Sequence, residues 1–273
     1  MAVESLTVAP GEGASILSSL ELGTKLVYPC SVRVFRSARE ASWYVRAERG
    51  MPKTPGDVDP PAGGKSKAPV DRAKCDQRAA RRARASVRRY CIANRLSRHL
   101  TVTYRIARDS RIQVLRDVAA FRRRLFAWSG GRFALVCVPE QGGKNKRWHA
   151  EIAMGRYVPQ DVLADLWGHG FVSVHRYSDR HKTSDEVENA RKVAGYLSKY
   201  VAKAFLEVER MPGEHRYEVA QGFQPDSEVF GVEDLPSGLL VAIAAFGGEL
   251  PHFVWSSAQV QNFEGLPVRC GFW

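Results

Sequence analysis

RFALVCVPEQGGKNKRWHAEIAM, Arg132 to Met154, decides the fold. Its first part, RFALVCVPE, is rich in apolar and β-branched residues and its last part, RWHAEIAM, alternates, so each reads as a strand. QGGKN between them is a short turn, and the chain reverses through it, as an antiparallel hairpin requires. Upstream, HLTVTYRI (His99–Ile106) alternates and reads as another strand. Asp109-Ser110 then caps a helix from Arg111 to about Trp128, in which Ile112, Leu115, Val118, Ala119, Phe121, Leu125 and Phe126 recur at helical spacing. Downstream, Pro159 opens a short helix through Trp167. Gly168-His169-Gly170 closes it, FVSVHRYS forms a further strand, and a helix follows from about Asp185 to Phe205. Strand, helix, hairpin, helix, strand, helix predicts an α+β fold: an antiparallel β-sheet with flanking helices.

The chain's 273 residues, 44% hydrophobic, suffice for one main domain with extensions. Three regions are expected. Residues 1–70 form a variable N-terminal segment, with VRVFRS and ASWYVRA as short elements, ending in the Pro/Gly-rich linker TPGDVDPPAGGKSKAP. Residues 71–210 form the main domain, entered through a basic helix from Arg72 to about Asn94. Residues 211–273 form a C-terminal extension that packs on the domain and completes its edge, with a strand in HRYEVAQGF, a helix in LPSGLLVAIAAF and a strand in ELPHFVWSS. Gly64-Lys65-Ser66 resembles the end of a phosphate-binding loop, but Asp59 stands where its first glycine belongs and no strand precedes it, so no ATPase or helicase is encoded. The five cysteines, at 30, 75, 91, 137 and 270, form no CxxC pair and support neither a disulfide framework nor a zinc site. With no apolar run long enough for a membrane span and no export signal, a cytoplasmic location is expected.

The net charge of +12 is unevenly placed. Asp71 to Arg124 holds seventeen basic residues, sixteen of them Arg, against four Asp, so the whole excess lies there. Guanidinium groups suit phosphate oxygens, so a nucleic acid is the expected partner, contacted by Arg81, Arg82, Arg84, Arg88, Arg89, Arg122, Arg123 and Arg124.

His149 and Glu151 lie two apart on one strand and so share a face, and Glu140 ends the neighbouring strand within reach. One imidazole and two carboxylates make a site for a divalent ion, with Mg²⁺ or Mn²⁺ favoured over zinc by the oxygen ligands; taken alone, the pattern also fits an exposed polar face. AGYLSKYVAK, Ala194 to Lys203, places Tyr196, Lys199, Tyr200 and Lys203 within an arc of about 100° on one helix face, with Val193, Ala194, Leu197, Val201 and Ala204 toward the core. Phenols there are nucleophiles if a base, a lysine or a polarised electrophile helps them; otherwise the face is a surface of half-buried tyrosines and snorkelling lysines. His169, His175 and His181 read as surface or capping residues. Trp148 and Trp167 read as core or strand-face residues, with stacking on an unpaired base as the sharper alternative.

LTVTY (Leu100–Tyr104), Glu140 with His149-Ala150-Glu151, and YLSKYVAK (Tyr196–Lys203) together resemble the three ordered motifs of HUH endonucleases, and more narrowly the rolling-circle replication initiators of plasmids and phages that carry two tyrosines. The resemblance covers about Leu100 to Phe205. It implies a ferredoxin- or RRM-like core. It also implies nicking and rejoining of single-stranded origin DNA through a 5′-phosphotyrosine, with Tyr196 and Tyr200 as nucleophiles and Lys199 and Lys203 assisting. His149, Glu151 and Glu140 would hold the metal, and a host helicase and DNA polymerase are the implied partners. Glu151 departs from the family, which places histidine or glutamine there. Two other readings share these motifs: a transposase or relaxase of a mobile element, and a DNA-binding protein that kept the fold and lost cleavage.

Overall fold

A computed structural model describes residues 29–46, 72–142, 146–176, 185–206, 215–261, 263 and 266–273. The linker with its Gly-Lys-Ser and the loop with His181 lie outside these residues. Ten strands and five α-helices are described: β1 (Cys30–Phe35), β2 (Glu40–Val45), α1 (Arg72–Ala93), β3 (Arg98–Val102), α2 (Arg111–Trp128), β4 (Leu135–Gly142), β5 (Arg147–Met154), α3 (Gln160–Trp167), β6 (Val172–Arg176), α4 (Glu186–Leu206), β7 (Glu218–Val219), β8 (Glu228–Val232), α5 (Leu235–Ala245), β9 (Phe253–Ser256) and β10 (Val268–Phe272). They build two antiparallel five-stranded sheets with flanking helices, an α+β fold as the sequence predicts.

The central sheet runs β6-β3-β5-β4-β7. Period-two alternation sorts its side chains between two cores. Leu100, Val102, Leu135, Cys137, Trp148, Ala150, Ile152 and Met154 point to one face, under Val114, Val118, Phe121 and Leu125 of α2 and Leu163 and Trp167 of α3. Val136, Val138 and Ala153 point to the other, under Val87, Tyr90 and Cys91 of α1 and Val193, Ala194, Leu197 and Val201 of α4. The hairpin falls where the sequence puts it, with Glu140 opposite His149 and Val138 opposite Glu151. Ser110 caps α2 by accepting from the Gln113 N–H, and Gly168 ends α3 at φ 70°. Trp148 and Trp167 are core residues, and the Trp167 indole N–H donates to Thr103 O at 2.8 Å.

Two expectations are corrected. HLTVTYRI does not run as a strand to Ile106: β3 ends at Val102, and Thr103 N and Arg105 N bond instead to Phe171 O and His169 O of the turn before β6. Among the described residues of the C-terminal segment, only the two-residue β7 completes an edge of the central sheet, against β4. The strands β8, β9 and β10 pair with β1 and β2 in a second sheet, ordered β8-β1-β2-β10-β9. α5, capped by Asp234 on the Ser237 N–H, covers one face of that sheet and joins a core of Val32, Val34, Trp43 and Trp273. Gly238 is required there, because a Cβ at that position would stand 2.9 Å from Trp43. The other face meets the C-terminal turns of α1 through Arg88 and Arg89, which bind Glu40 and lie over the Phe272 and Phe35 rings.

Candidate active site

At the end of the central sheet that faces α4, the apolar lining gives way to polar side chains. Three cross-strand rows follow from the register: Glu140 beside His149; Val138, Glu151 and Thr101; Val136, Ala153 and His99. Because all lie on the α4 face, Glu140, His149 and Glu151 converge, with one potential ligand atom from each within 4.8 Å of the others. His149 Nε2 lies 3.3 Å from Glu151 Oε1 and 3.5 Å from Glu140 Oε2. Gly142 belongs to this arrangement, since a Cβ there would stand 2.6 Å from the His149 ring.

The two carboxylates differ in how they are held. Glu151, 3% exposed, accepts from His99 Nε2 at 2.5 Å and from the Thr101 hydroxyl at 2.8 Å, both on Oε2, which leaves Oε1 toward His149. Burial opposes its charge, but the bonds from His149, His99 and Thr101 outweigh burial and bring its pKa down to about 2. Burial likewise opposes charge on His149, and its two carboxylate neighbours overcome it, raising that pKa to about 9. Glu140 Oε1 accepts from Lys203 Nζ at 3.0 Å, while Oε2 is buried without a hydrogen-bond partner. A buried carboxylate oxygen left open beside an imidazole and a second carboxylate fits a cation ligand set, so this buried Glu-His-Glu group can hold a metal ion.

α4 lays its tyrosines over these rows. Val193, Ala194, Leu197 and Val201 bury one stripe of the helix, and the stripe's edge carries Tyr196 and Tyr200 against the sheet. The Tyr196 ring packs on the His99 ring, with centroids 4.7 Å apart, and on Tyr200 at 4.9 Å. The Tyr200 hydroxyl donates to the Tyr196 hydroxyl at 2.5 Å. Burial and that bond both raise the Tyr200 pKa, since a donor resists losing its proton. Lys203 reaches Glu140 and, at 3.5 Å, Gln141 O. Lys199, 60° further round the helix from Tyr196, is exposed and makes no hydrogen bond or ion pair among the described residues. A cleft of about 420 Å³ opens beside the tyrosines, lined by Arg111, Glu140, Lys146, Trp148, Tyr200 and Lys203 among others.

Two site residues were not singled out from the sequence: His99 and Thr101. Their signal was the alternation of HLTVT, which puts His99, Thr101 and Thr103 on the face opposite Leu100 and Val102. His175, one strand further out, stacks on His99 at 5.7 Å, and His169 lies 3.7 Å from Asp117, away from these rows. The arginines divide into two groups. Arg81, Arg82, Arg84 and Arg123 are exposed. Arg88 and Arg89 hold Glu40, Arg122 pairs with Glu218 at 3.1 Å, and Arg124 donates to the Leu166 and Trp167 carbonyls.

Fold and site together define a class: an α+β protein with a cation-competent cluster on an antiparallel sheet, covered by a helix bearing paired tyrosines. Residues 97–205, which contain the cluster and both tyrosines, match the model of a family described as replication-associated protein. That match supports a replication initiator protein. No curated protein and no solved structure matches the chain. Among the described residues, no helix is long and apolar enough to cross a membrane.

Proposed function

We propose that the protein starts rolling-circle replication by nicking, and later rejoining, single-stranded origin DNA through a tyrosine ester of the 5′ phosphate. The observation that carries this reading is the convergence of Tyr196, Tyr200 and Lys203 of α4, 42 residues or more from the hairpin in sequence, onto the hairpin's Glu140, His149 and Glu151. In the cutting step the phenol oxygen forms a bond to phosphorus as the P–O3′ bond breaks. The phenol proton ends on O3′, leaving a free 3′ hydroxyl for extension; the reverse attack restores the strand. Glu140, His149 and Glu151 would hold a divalent ion, Mg²⁺ or Mn²⁺ by its ligands, which would supply Lewis-acid polarisation of the phosphate.

The chain's own groups set the roles. Tyr196 accepts the hydrogen bond from Tyr200, which stabilises negative charge on the Tyr196 oxygen and makes it the first nucleophile. Tyr200, holding its proton, is left for a second cut. His99 positions both Glu151, through its hydrogen bond, and Tyr196, through ring contact. Glu151 serves where the family places histidine or glutamine, because a carboxylate ligates a hard ion and its other oxygen is already fixed by His99 and Thr101.

The test is incubation of the full chain with labelled single-stranded origin oligonucleotides and a panel of divalent ions, read by denaturing gel. A covalent protein–DNA band on the 5′-phosphate side, dependent on Mg²⁺ or Mn²⁺, is expected. Binding with no such band under any ion would leave a DNA-binding protein that lost cleavage.

A further inference from the structure

A second cleft, of about 650 Å³, opens at the β7 edge of the central sheet. Its lining is contributed by four separate stretches of chain: Arg82 from α1, Arg122 from α2, Phe205 from the end of α4, and His215 to Gln221 around β7. Among the described residues, the guanidinium groups of Arg82 and Arg122 and one carboxylate, Glu218, line it. Arg122 pairs with that carboxylate at 3.1 Å, and Arg216, buried, lies over the Phe205 ring at 4.6 Å. Arg82 is exposed and makes no hydrogen bond or ion pair among the described residues, so nothing in the fold accounts for its charge. Tyr217 adds a half-exposed aromatic ring.

We propose that this cleft binds the phosphate of a nucleotide unit, and that the unit belongs to an unpaired nucleic-acid strand. An arginine such as Arg82, whose charge the described carboxylate does not neutralise, suits a phosphodiester, and an aromatic ring beside it suits an unstacked base. The strand, rather than a free nucleotide, follows from position. Arg78 and Arg81 stand exposed on α1 within about 100° of Arg82 round the helix, extending the basic lining beyond the cleft. Glu218 of the cleft stands opposite Cys137, three residues along β4 from Glu140, or about 10 Å. The cleft therefore flanks the tyrosine site, on the other side of the α4 terminus, with Phe205 about 140° round the helix from Tyr200. It would hold a strand to one side of the phosphate that is cut. The proposal rests on the nucleic-acid reading of the site but not on cleavage.

The experiment separates the two. In the full chain carrying Tyr196→Phe and Tyr200→Phe, which cannot form the adduct, binding of a fluorescein-labelled oligo-dT of twenty nucleotides is followed by anisotropy across a salt series. Arg82→Ala and Arg122→Gln should each weaken binding several-fold and lower the slope of log affinity against log salt by about 0.7, one single-strand phosphate contact. Tyr217→Leu should weaken binding about fivefold or more with the slope unchanged. Arg116→Ala, which removes an exposed arginine of α2 outside the cleft, should do neither. If Arg82→Ala and Tyr217→Leu bind as the parent does, or if Arg116→Ala matches Arg82→Ala, the cleft is not the site. If thymidine monophosphate binds in an Arg82-dependent way while oligo-dT affinity is insensitive to Arg82, a free nucleotide replaces the strand and the proposal is overturned.

Discussion

Glu40 in the second sheet and Glu140 in the central sheet are both buried carboxylates, held in opposite ways. Both Glu40 oxygens are taken by arginines of α1: Oε2 by Arg88 Nε and Nη2 at 3.2 and 2.9 Å, Oε1 by Arg89 Nε and Nη2 at 2.8 and 2.7 Å. The guanidinium planes are fixed in turn on Phe272 and Phe35. Nothing is left for a ligand, so Glu40 serves to dock α1 on the second sheet. Glu140 has one oxygen on a half-exposed lysine and the other open beside His149. A buried oxygen without a hydrogen bond costs stability, and in the metal-free protein the charge that faces it is the His149 imidazolium, 3.5 Å away, a place a metal ion would take when bound.

The largest effect should come from the phenols above Glu140. Tyr196→Phe with Tyr200→Phe should cut covalent adduct formation at least about a thousandfold, with DNA binding retained. Tyr196→Phe alone should account for most of the loss of the first cut. Equal adduct yield in the double variant would remove the central sheet's claim to chemistry.

Glu40→Gln is the counterpart on the structural side. It leaves two partly buried guanidinium groups without their counter-charge, so urea unfolding should show a loss of about 3 kcal/mol. Adduct formation by the folded fraction should be unchanged. A thermally normal Glu40→Gln protein would mean that the α1 contact is incidental.

The sequence displayed the central sheet well because its signals are local. RWHAEIAM alternates, Ser110 and Gly168 cap helices, and β5, α2 and α3 sit where those signals place them. Glu140, His149 and Glu151 were legible for the same reason, since hairpin register and period-two alternation bring them together. The second sheet was not legible. Its strands come from the two ends of the described chain, and pairing Ser31 with Gly231 or Trp43 with Arg269 leaves no local trace. β8 and β10 are also short and interrupted by Gly231 and Gly271, the latter needed because a Cβ would meet Trp273 at 2.7 Å. The arginine run was legible as charge but not as roles. Only tertiary partners separate Arg88 and Arg89, which are fixed on Glu40, from the exposed Arg81, Arg82 and Arg84.

Glu140→Gln sharpens the contrast at intermediate size. It keeps the shape and removes the charge, so affinity for Mn²⁺, followed by isothermal titration, should fall at least tenfold. Above pH 9, where His149 is neutral, stability without metal should change by less than about 1 kcal/mol, because the Lys203 ion pair it breaks is 40% exposed on the lysine side. At lower pH the loss should be larger, because the His149 imidazolium loses a partner. Glu40→Gln should show the reverse pattern, a large stability loss and no change in Mn²⁺ affinity.

A smaller, pH-dependent effect follows in protein stripped of metal. His149 is raised from 6.5 to about 9, so its contribution to stability is full below about pH 6.5 and is lost as pH rises through 9. Glu151 is lowered from 4.5 to about 2, so its contribution is full above about pH 4.5 and is lost as pH falls through 2. Thermal melts in chelator should therefore show a cluster contribution that is greatest between about pH 4.5 and 6.5. It should be smaller at pH 9, and His149→Gln should flatten the alkaline limb. An alkaline limb identical in His149→Gln would show that the imidazole is not held by its two carboxylates.

The smallest effect distinguishes the two lysines of AGYLSKYVAK. Helical spacing alone gives Lys199 and Lys203 equal standing, since each follows a tyrosine by three residues. Packing does not, because the buried stripe of α4 turns Lys203 toward Glu140 and leaves Lys199 in solvent. A lysine assists a phosphoryl step only if its ammonium stands near the charge that develops. Lys203→Ala should therefore slow adduct formation about tenfold or more and, by releasing Glu140, change its metal dependence. Lys199→Ala should leave both within about twofold, apart from a small fall in the salt dependence of DNA binding. Equal losses at the two positions, measured by adduct yield against Mn²⁺ concentration, would mean that α4 turns on its axis when DNA binds and presents Lys199 to the strand.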